Sequence, residues 1–212
     1  YSNTTGTYNT AIGSQSLLFN TTGNNNTAVG YGTLYANTTG ERNSVVGTAA
    51  LNSNTTGVRN SAFGMYAMLY NATGNYNSAI GYEALYANTT ASNNTAVGYQ
   101  SLYSNTTGTP NTAVGYQAGY SNTTGAAVTA VGYRALYTNT TGNLNTALGA
   151  QALFLNTTGR GNVAVGYDVM HNNTTGDDNT AIGGYYSSLP ALINNTTGSF
   201  NVAVGGGALS NN

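Results

Sequence analysis

The sequence predicts an all-β chain wound into a parallel β-solenoid (a β-roll or β-helix) of about twelve coils, one per 17-residue unit. Three observations carry this reading. Asn-Thr-Thr-Gly, or a near copy, begins at Asn3, Asn20, Asn37, Asn54, Asn71, Asn88, Asn105, Asn122, Asn139, Asn156, Asn173 and Asn195, in steps of 17 residues except for a last step of 22. A glycine closes a strand-like triplet in every unit, from Gly13 and Gly30 to Gly183 and Gly205. The residue before that glycine is always apolar, as in Ile12, Val29, Phe63, Val114 and Leu148. A unit this short cannot hold a core of its own, so each coil buries its apolar face against the next, and residues 1–212 form one array.

The elements follow in order along the unit. Asn-Thr-Thr-Gly is turn chemistry, because Asn and Gly accept left-handed backbone angles and Thr bonds locally. After two variable residues comes a second Asn, replaced only by Val128, whose amide is expected to ladder between coils. Thr-Ala-Val-Gly then reads as a β-strand, with Thr and Val on one face and Ala and Gly on the other. The column of Val114 and its equivalents is expected to line the core, together with a second apolar column that includes Leu17, Leu34, Met68, Leu102 and Leu153. Around that second column, Tyr31, Leu34 and Tyr35 have the spacing of a single helical or 3₁₀ turn, but a second strand kinked at the Gly is the favoured reading. The invariant glycine implies a positive φ or a close neighbouring backbone. Residues 184–194, with Pro190, hold the five extra residues of the long step and are expected to bulge as a loop. At about 4.8 Å per coil, twelve coils span roughly 55–60 Å.

Composition narrows function. With 4 Lys or Arg and 5 Asp or Glu, the chain has no basic stripe for nucleic acid and no acidic tail. No apolar run is long enough for a membrane span or a signal peptide. Cysteine is absent, which removes disulfides and thiolate sites. So little charge leaves Asn, Thr, Ser and anything attached to them to hydrate the surface. Both termini fall inside the repeat and no capping unit is evident, so the expectation is a segment of a longer fibre or a subunit docking end to end.

Asn43-Ser-Val-Val-Gly47 is similar to the Asn-Ser-Val-Ala-Ile-Gly head repeat of trimeric autotransporter adhesins, a left-handed parallel β-roll with a shorter unit. Asn-Thr-Ala-Val-Gly-Tyr-Gln-Ala-Leu-Tyr-Ser-Asn-Thr-Thr-Gly more closely resembles arrays in long surface or tail-fibre proteins. That resemblance covers the whole chain, and it implies a fibre shaft at a cell or virion surface, including the stalk of a phage tail fibre.

Catalytic chemistry is sparse, and no enzymatic activity, cofactor or metal site is expected. His171 is the only histidine and replaces Tyr in a Tyr column, which reads as packing rather than as a general base. Asp177 and Asp178 allow a weak cation contact, but calcium-stacking repeats place an Asp in every coil and this chain does not. The Tyr columns read as ladder packing, with sugar or base stacking as the alternative. Thr columns also suit ice binding. Each unit-opening Asn satisfies the Asn-x-Thr rule, so all twelve from Asn3 to Asn195 are candidate N-glycosylation sites, with a bare turn as the competing reading; Thr-Thr offers O-linked attachment instead. The expected function is the structural shaft of an extracellular fibre, self-associating as a homotrimer or end to end. The alternative is a solenoid that binds ice or carbohydrate.

Overall fold

The computed structural model describes residues 2–184 and 189–211. It is an all-β solenoid, and its twelve strands are β1 (Thr10–Ile12), β2 (Thr27–Val29), β3 (Ser44–Val46), β4 (Ser61–Phe63), β5 (Ser78–Ile80), β6 (Thr95–Val97), β7 (Asn111–Val114), β8 (Val128–Val131), β9 (Thr146–Leu148), β10 (Val163–Val165), β11 (Thr180–Ile182) and β12 (Val202–Val204). They form one sheet in chain order. Every pairing is parallel and sets each residue opposite its counterpart in the next unit, as Val97 opposite Val114 and Ala113 opposite Ala130. Because repeat and register coincide, one unit is one coil.

The strand ends at its glycine for both of the reasons the sequence allows. These glycines have φ between +110° and +142°, where a Cβ is strained. The neighbouring coil is also too close: a Cβ on Gly98 would lie 2.4 Å from the carbonyl oxygen of Gly115.

The two faces of the strand are the reverse of the expectation. Ala28, Val45, Ala62, Ala79, Ala96, Ala113, Ala130, Ala147, Ala164 and Ala181 have no exposed surface, whereas Val114 is 37 % exposed and Ile80 46 %. The Val column therefore lies outside and the Ala column lines the core. The reason is the width of the coil. A Cβ on Gly119, in the Leu column, would sit 3.0 Å from Leu102 Cδ2 and 3.8 Å from the Ala113 Cβ. With the Leu column reaching across that far, the strand side holds a methyl group in every coil but one, where Val45 is enclosed.

The Leu column is buried as expected: Leu34, Leu51, Met68, Leu85, Leu102, Leu136, Leu153 and Met170 are fully enclosed. Its backbone is neither a second strand nor a helical turn. Six residues form a turn in which the Gln-type column and the Leu column are both left-handed, for example Gln100 at φ 51° and Leu102 at φ 49°. Left-handed angles on a bulky residue cost about 1–2 kcal/mol each. What offsets this cost is burial of the Leu side chain and a backbone bond to the next coil, such as Leu102 N–H to Ala118 O at 3.0 Å.

Of the insertion, residues 185–188 lie outside the described residues, so the expected bulge falls partly beyond description. The coil is back in register by Ala191 and Leu192, both buried, and the Met170 N–H donates to Ala191 O at 3.2 Å.

Candidate functional site

With no described group of three or more His, Cys, Asp or Glu that could hold a metal, the candidates are the columns that run along the rod. The unit-opening Asn column comes first. From Asn20 to Asn195 each Nδ2 donates to the Oδ1 of the equivalent Asn in the preceding coil, at 2.6 to 3.2 Å, and these eleven links join Asn3 to Asn195 without a gap. In most coils Nδ2 also donates to a backbone carbonyl three residues on; Asn139 does so to Gly142 O at 3.0 Å.

These Asn side chains are buried to 2 % exposure or less from Asn20 to Asn195; only Asn3, in the end coil, is exposed. This burial weighs against a sugar on each of them and for the bare turn. An N-linked glycan would replace a hydrogen of Nδ2, break a ladder bond and demand space where the next coil is packed. The sequon rule finds the residue types but is blind to an Asn whose amide is already committed.

The second Asn column ladders by a different bond. Its Oδ1 accepts the backbone N–H of the equivalent residue in the next coil, as Asn43 Oδ1 does from Asn60 at 2.9 Å. Its Nδ2 reaches the carbonyl of the next Asn-Thr-Thr-Gly turn, as Asn60 does to Gly74 O at 2.8 Å. Asn94 Nδ2 is buried with no partner. Gly108, the carbonyl it would reach, precedes Pro110, whose ring excludes the left-handed φ that Asn93 and Ala127 show in the same column.

A third set of ladders covers the turn side. Tyr86, Tyr103, Tyr120, Tyr137, Phe154 and His171 stack in sequence, with centroids 4.9 to 5.3 Å apart. Tyr82, Tyr99, Tyr116 and Tyr133 form a second stack, 5.0 to 5.4 Å apart. Between them Gln100 Nε2 donates to Glu83 Oε2 at 2.7 Å, Gln117 Nε2 to Gln100 Oε1 at 2.8 Å and Arg134 Nε to Gln117 Oε1 at 3.0 Å. Neighbouring rings cover each other's faces, so the rod presents ring edges and hydroxyls to solvent rather than platforms for sugars or bases.

Four of these tyrosine hydroxyls, those of Tyr82, Tyr86, Tyr103 and Tyr120, hold their protons more tightly than usual. Hydrogen bonding with Tyr70 pushes Tyr86 up to about 12, and the neighbouring Glu83 raises Tyr82. Burial is the first cause for Tyr103 and Tyr120. His171 occupies the Tyr position of its column, stacked on Phe154, with Nδ1 3.1 Å from Asp168 Oδ1. Asp177 Oδ1 accepts the Arg160 backbone N–H at 2.9 Å, and its Oδ2 lies 3.5 Å from the Arg160 Nε; Asp178 is exposed.

The strand face remains. Its outer surface carries two ranks, the Thr or Ser rank of Thr10, Thr27 and Ser44 and the apolar rank of Ile12, Val46 and Val114. The outward Val rank is what the alternation reading missed. A coil closed by Leu on one side needs a small residue opposite, and the Ala column, broken only by Val45, was the available signal. Concavities at the two ends are lined by Asn3, Asn9, Ala11, Leu17 and Asn20 and by Gly207, Leu209, Ser210 and Asn211. No helix among the described residues is long and apolar enough to cross a membrane. Comparison with protein-family models, curated proteins and solved structures finds no match.

Proposed function

We propose that this chain is the structural shaft of an extracellular fibre or filament and performs no catalysis. The observation that supports this most is the gapless Asn ladder running beside a twelve-stranded sheet. Every coil is bonded to the next by side chain and by backbone, as a load-bearing rod requires. Self-association completes the reading. β1 and β12 each have one unpaired strand edge, and such an edge accepts another strand in register, whether from a continuation of the same chain or from a second copy. A trimer wound about a common axis would instead cover the outward apolar rank. Electron microscopy and light scattering of the purified chain test the proposal. Filaments or a discrete oligomer are the expected result, and a monodisperse monomer at millimolar concentration would end it.

One observation favours a second reading. Thr and Val both face outward from a long, regular sheet, as a face that orders water or binds a flat partner would present them. Thermal hysteresis or glycan-array binding by the isolated chain would place function on that face rather than in the rod as such.

A further inference from the structure

We propose that the second Thr of each Asn-Thr-Thr, from Thr5 to Thr197, is the attachment point of a short O-linked sugar. Three side chains of this turn carry chemistry, and the fold commits two of them. The Asn amide belongs to the buried ladder. The first Thr spends its hydroxyl on the next coil: Thr140 Oγ1 donates to Thr157 O at 3.0 Å, and Thr157 Oγ1 to Thr174 O at 3.1 Å. The second Thr is exposed in all twelve coils, and its hydroxyl makes none of these bonds.

Repetition supplies an internal control. The two exposed or half-exposed columns that follow the turn drift freely, from Asn24 to Glu41 to Val58 in one and from Tyr76 to Ala127 to Phe200 in the other. Even the bonded first Thr is once Ala, at Ala72. Exposed side chains without partners are ordinarily free to vary, because replacing them changes stability by about 0.5 kcal/mol or less. The second Thr is nonetheless Thr in twelve units of twelve, so the surface itself uses it. Hydration is the matching need, for the rod carries an outward apolar rank and only nine charged residues, 4 basic and 5 acidic.

The chemistry is a glycosyl transfer from a sugar activated as a nucleotide or lipid diphosphate. The Thr Oγ1 attacks the anomeric carbon, the new O–C1 bond forms, and the C1–O bond to the phosphate breaks. The diphosphate leaves with the bonding pair, and the hydroxyl proton passes to a base of the transferase. A transferase can reach these hydroxyls on the folded rod, which it cannot do for the Asn amides. Adjacent sites recur at about 4.8 Å, which suits short unbranched sugars.

The test is site mapping on native protein. Trypsin releases residues 135–160, which contain Asn139, Thr140, Thr141, Asn156, Thr157 and Thr158. Electron-transfer fragmentation is expected to place hexose or N-acetylhexosamine increments on Thr141 and Thr158 alone. Bare Thr141 and Thr158 overturn the proposal, and leave a conformational demand for a β-branched residue as the reason for the column. Increments on Asn139 and Asn156, or on Thr140 and Thr157, overturn it as well. Filaments are scored by microscopy on the same sample, so bare hydroxyls on an intact filament would remove the sugar and leave the shaft standing.

Discussion

The two asparagine columns look alike in sequence and are buried side by side, yet they are not equivalent. In the opening column both ends of every link are side chains, so Asn139 gives Nδ2 to Asn122 and lends Oδ1 to Asn156, each at 2.8 Å. In the second column the donor is a backbone N–H that exists whatever the residue; Val128 N–H donates to Asn111 Oδ1 at 2.9 Å although valine has replaced the asparagine. A substitution therefore breaks the first ladder in both directions and the second mainly in one. The chain's own drift agrees, since the opening column is Asn in all twelve units and the second in eleven. Tolerance in a repeat protein follows what each side chain must supply, and burial alone does not predict it.

The comparison breaks most directly at Asn139→Ala. That change strands Asn122 Oδ1, one Nδ2 hydrogen of Asn156 and one lone pair of Gly142 O, all buried, at about 1–3 kcal/mol per unmatched group. Urea unfolding should show a loss of about 3–5 kcal/mol. Asn162→Val copies at another coil what the chain already tolerates at Val128. It removes the acceptor that the Asn179 N–H and Nδ2 share, each held at 3.0 Å, and the Nδ2 donor to Gly176 O. Gly176 O keeps Asn173 Nδ2 and Asn179 Nδ2 keeps Gly198 O, and the new methyls are buried, so the same measurement should show about 2–3 kcal/mol lost. Equal costs for the two variants would show that the columns do not differ.

The reverse change sharpens the point. Val128 is 1 % exposed and offers no acceptor to the Asn145 N–H. Val128→Asn supplies an acceptor there and a second donor for Gly142 O, while losing the burial of a valine. A net gain of about 0.5–1 kcal/mol is expected in urea unfolding, and no gain would mean that the valine's packing outweighs the ladder.

The tyrosine stacks respond to pH where the asparagine ladders cannot. Tyr82, Tyr86, Tyr103 and Tyr120 have pKa values raised on folding, Tyr86 to about 12. Folding therefore favours their protonated forms. The resulting stability is complete below the ordinary tyrosine value of about 10 and is lost as pH climbs from there through about 12. Solvent screening of these partly exposed hydroxyls keeps the effect small. Thermal melts should be flat up to pH 10 and fall above it, while the phenolate absorbance of these residues rises late.

Periodicity, glycine column and strand triplet were legible because each answers to a backbone requirement repeated twelve times. So was the second Asn column as a ladder. The turn side was not, because Leu34, Leu51 and Leu102 adopt left-handed angles that propensity assigns to Gly and Asn, and tertiary burial overrides that preference. The opening Asn column was read as a surface turn because Asn-Thr-Thr-Gly has turn composition and a sequon, and neither reveals that coil stacking encloses the amide. Strand alternation fixed the pairing of faces but not which face is inside. The width of the coil decides that, and it lies in the contact between the Leu and Ala columns rather than in either one.

The smallest expected effect tests this inversion of faces. Val114 points outward from β7 and is 37 % exposed, with Val97 and Val131 opposite it on the adjacent strands. In Val114→Asp the carboxylate stays in water, so the cost is limited to two cross-strand aliphatic contacts and the poor strand preference of Asp, about 0.5–1 kcal/mol together. Ala113→Asp is the control one residue away: Ala113 has no exposed surface, and a charge there has no partner in an apolar cluster, so the local coils should open. Hydrogen exchange across coils 6 to 8 would separate the two outcomes, with native protection in the Val114 variant and lost protection in the Ala113 variant. If the Val114 variant opened the stack and the Ala113 variant did not, the Val column would be the interior one, and the narrow, alanine-lined coil would be wrong.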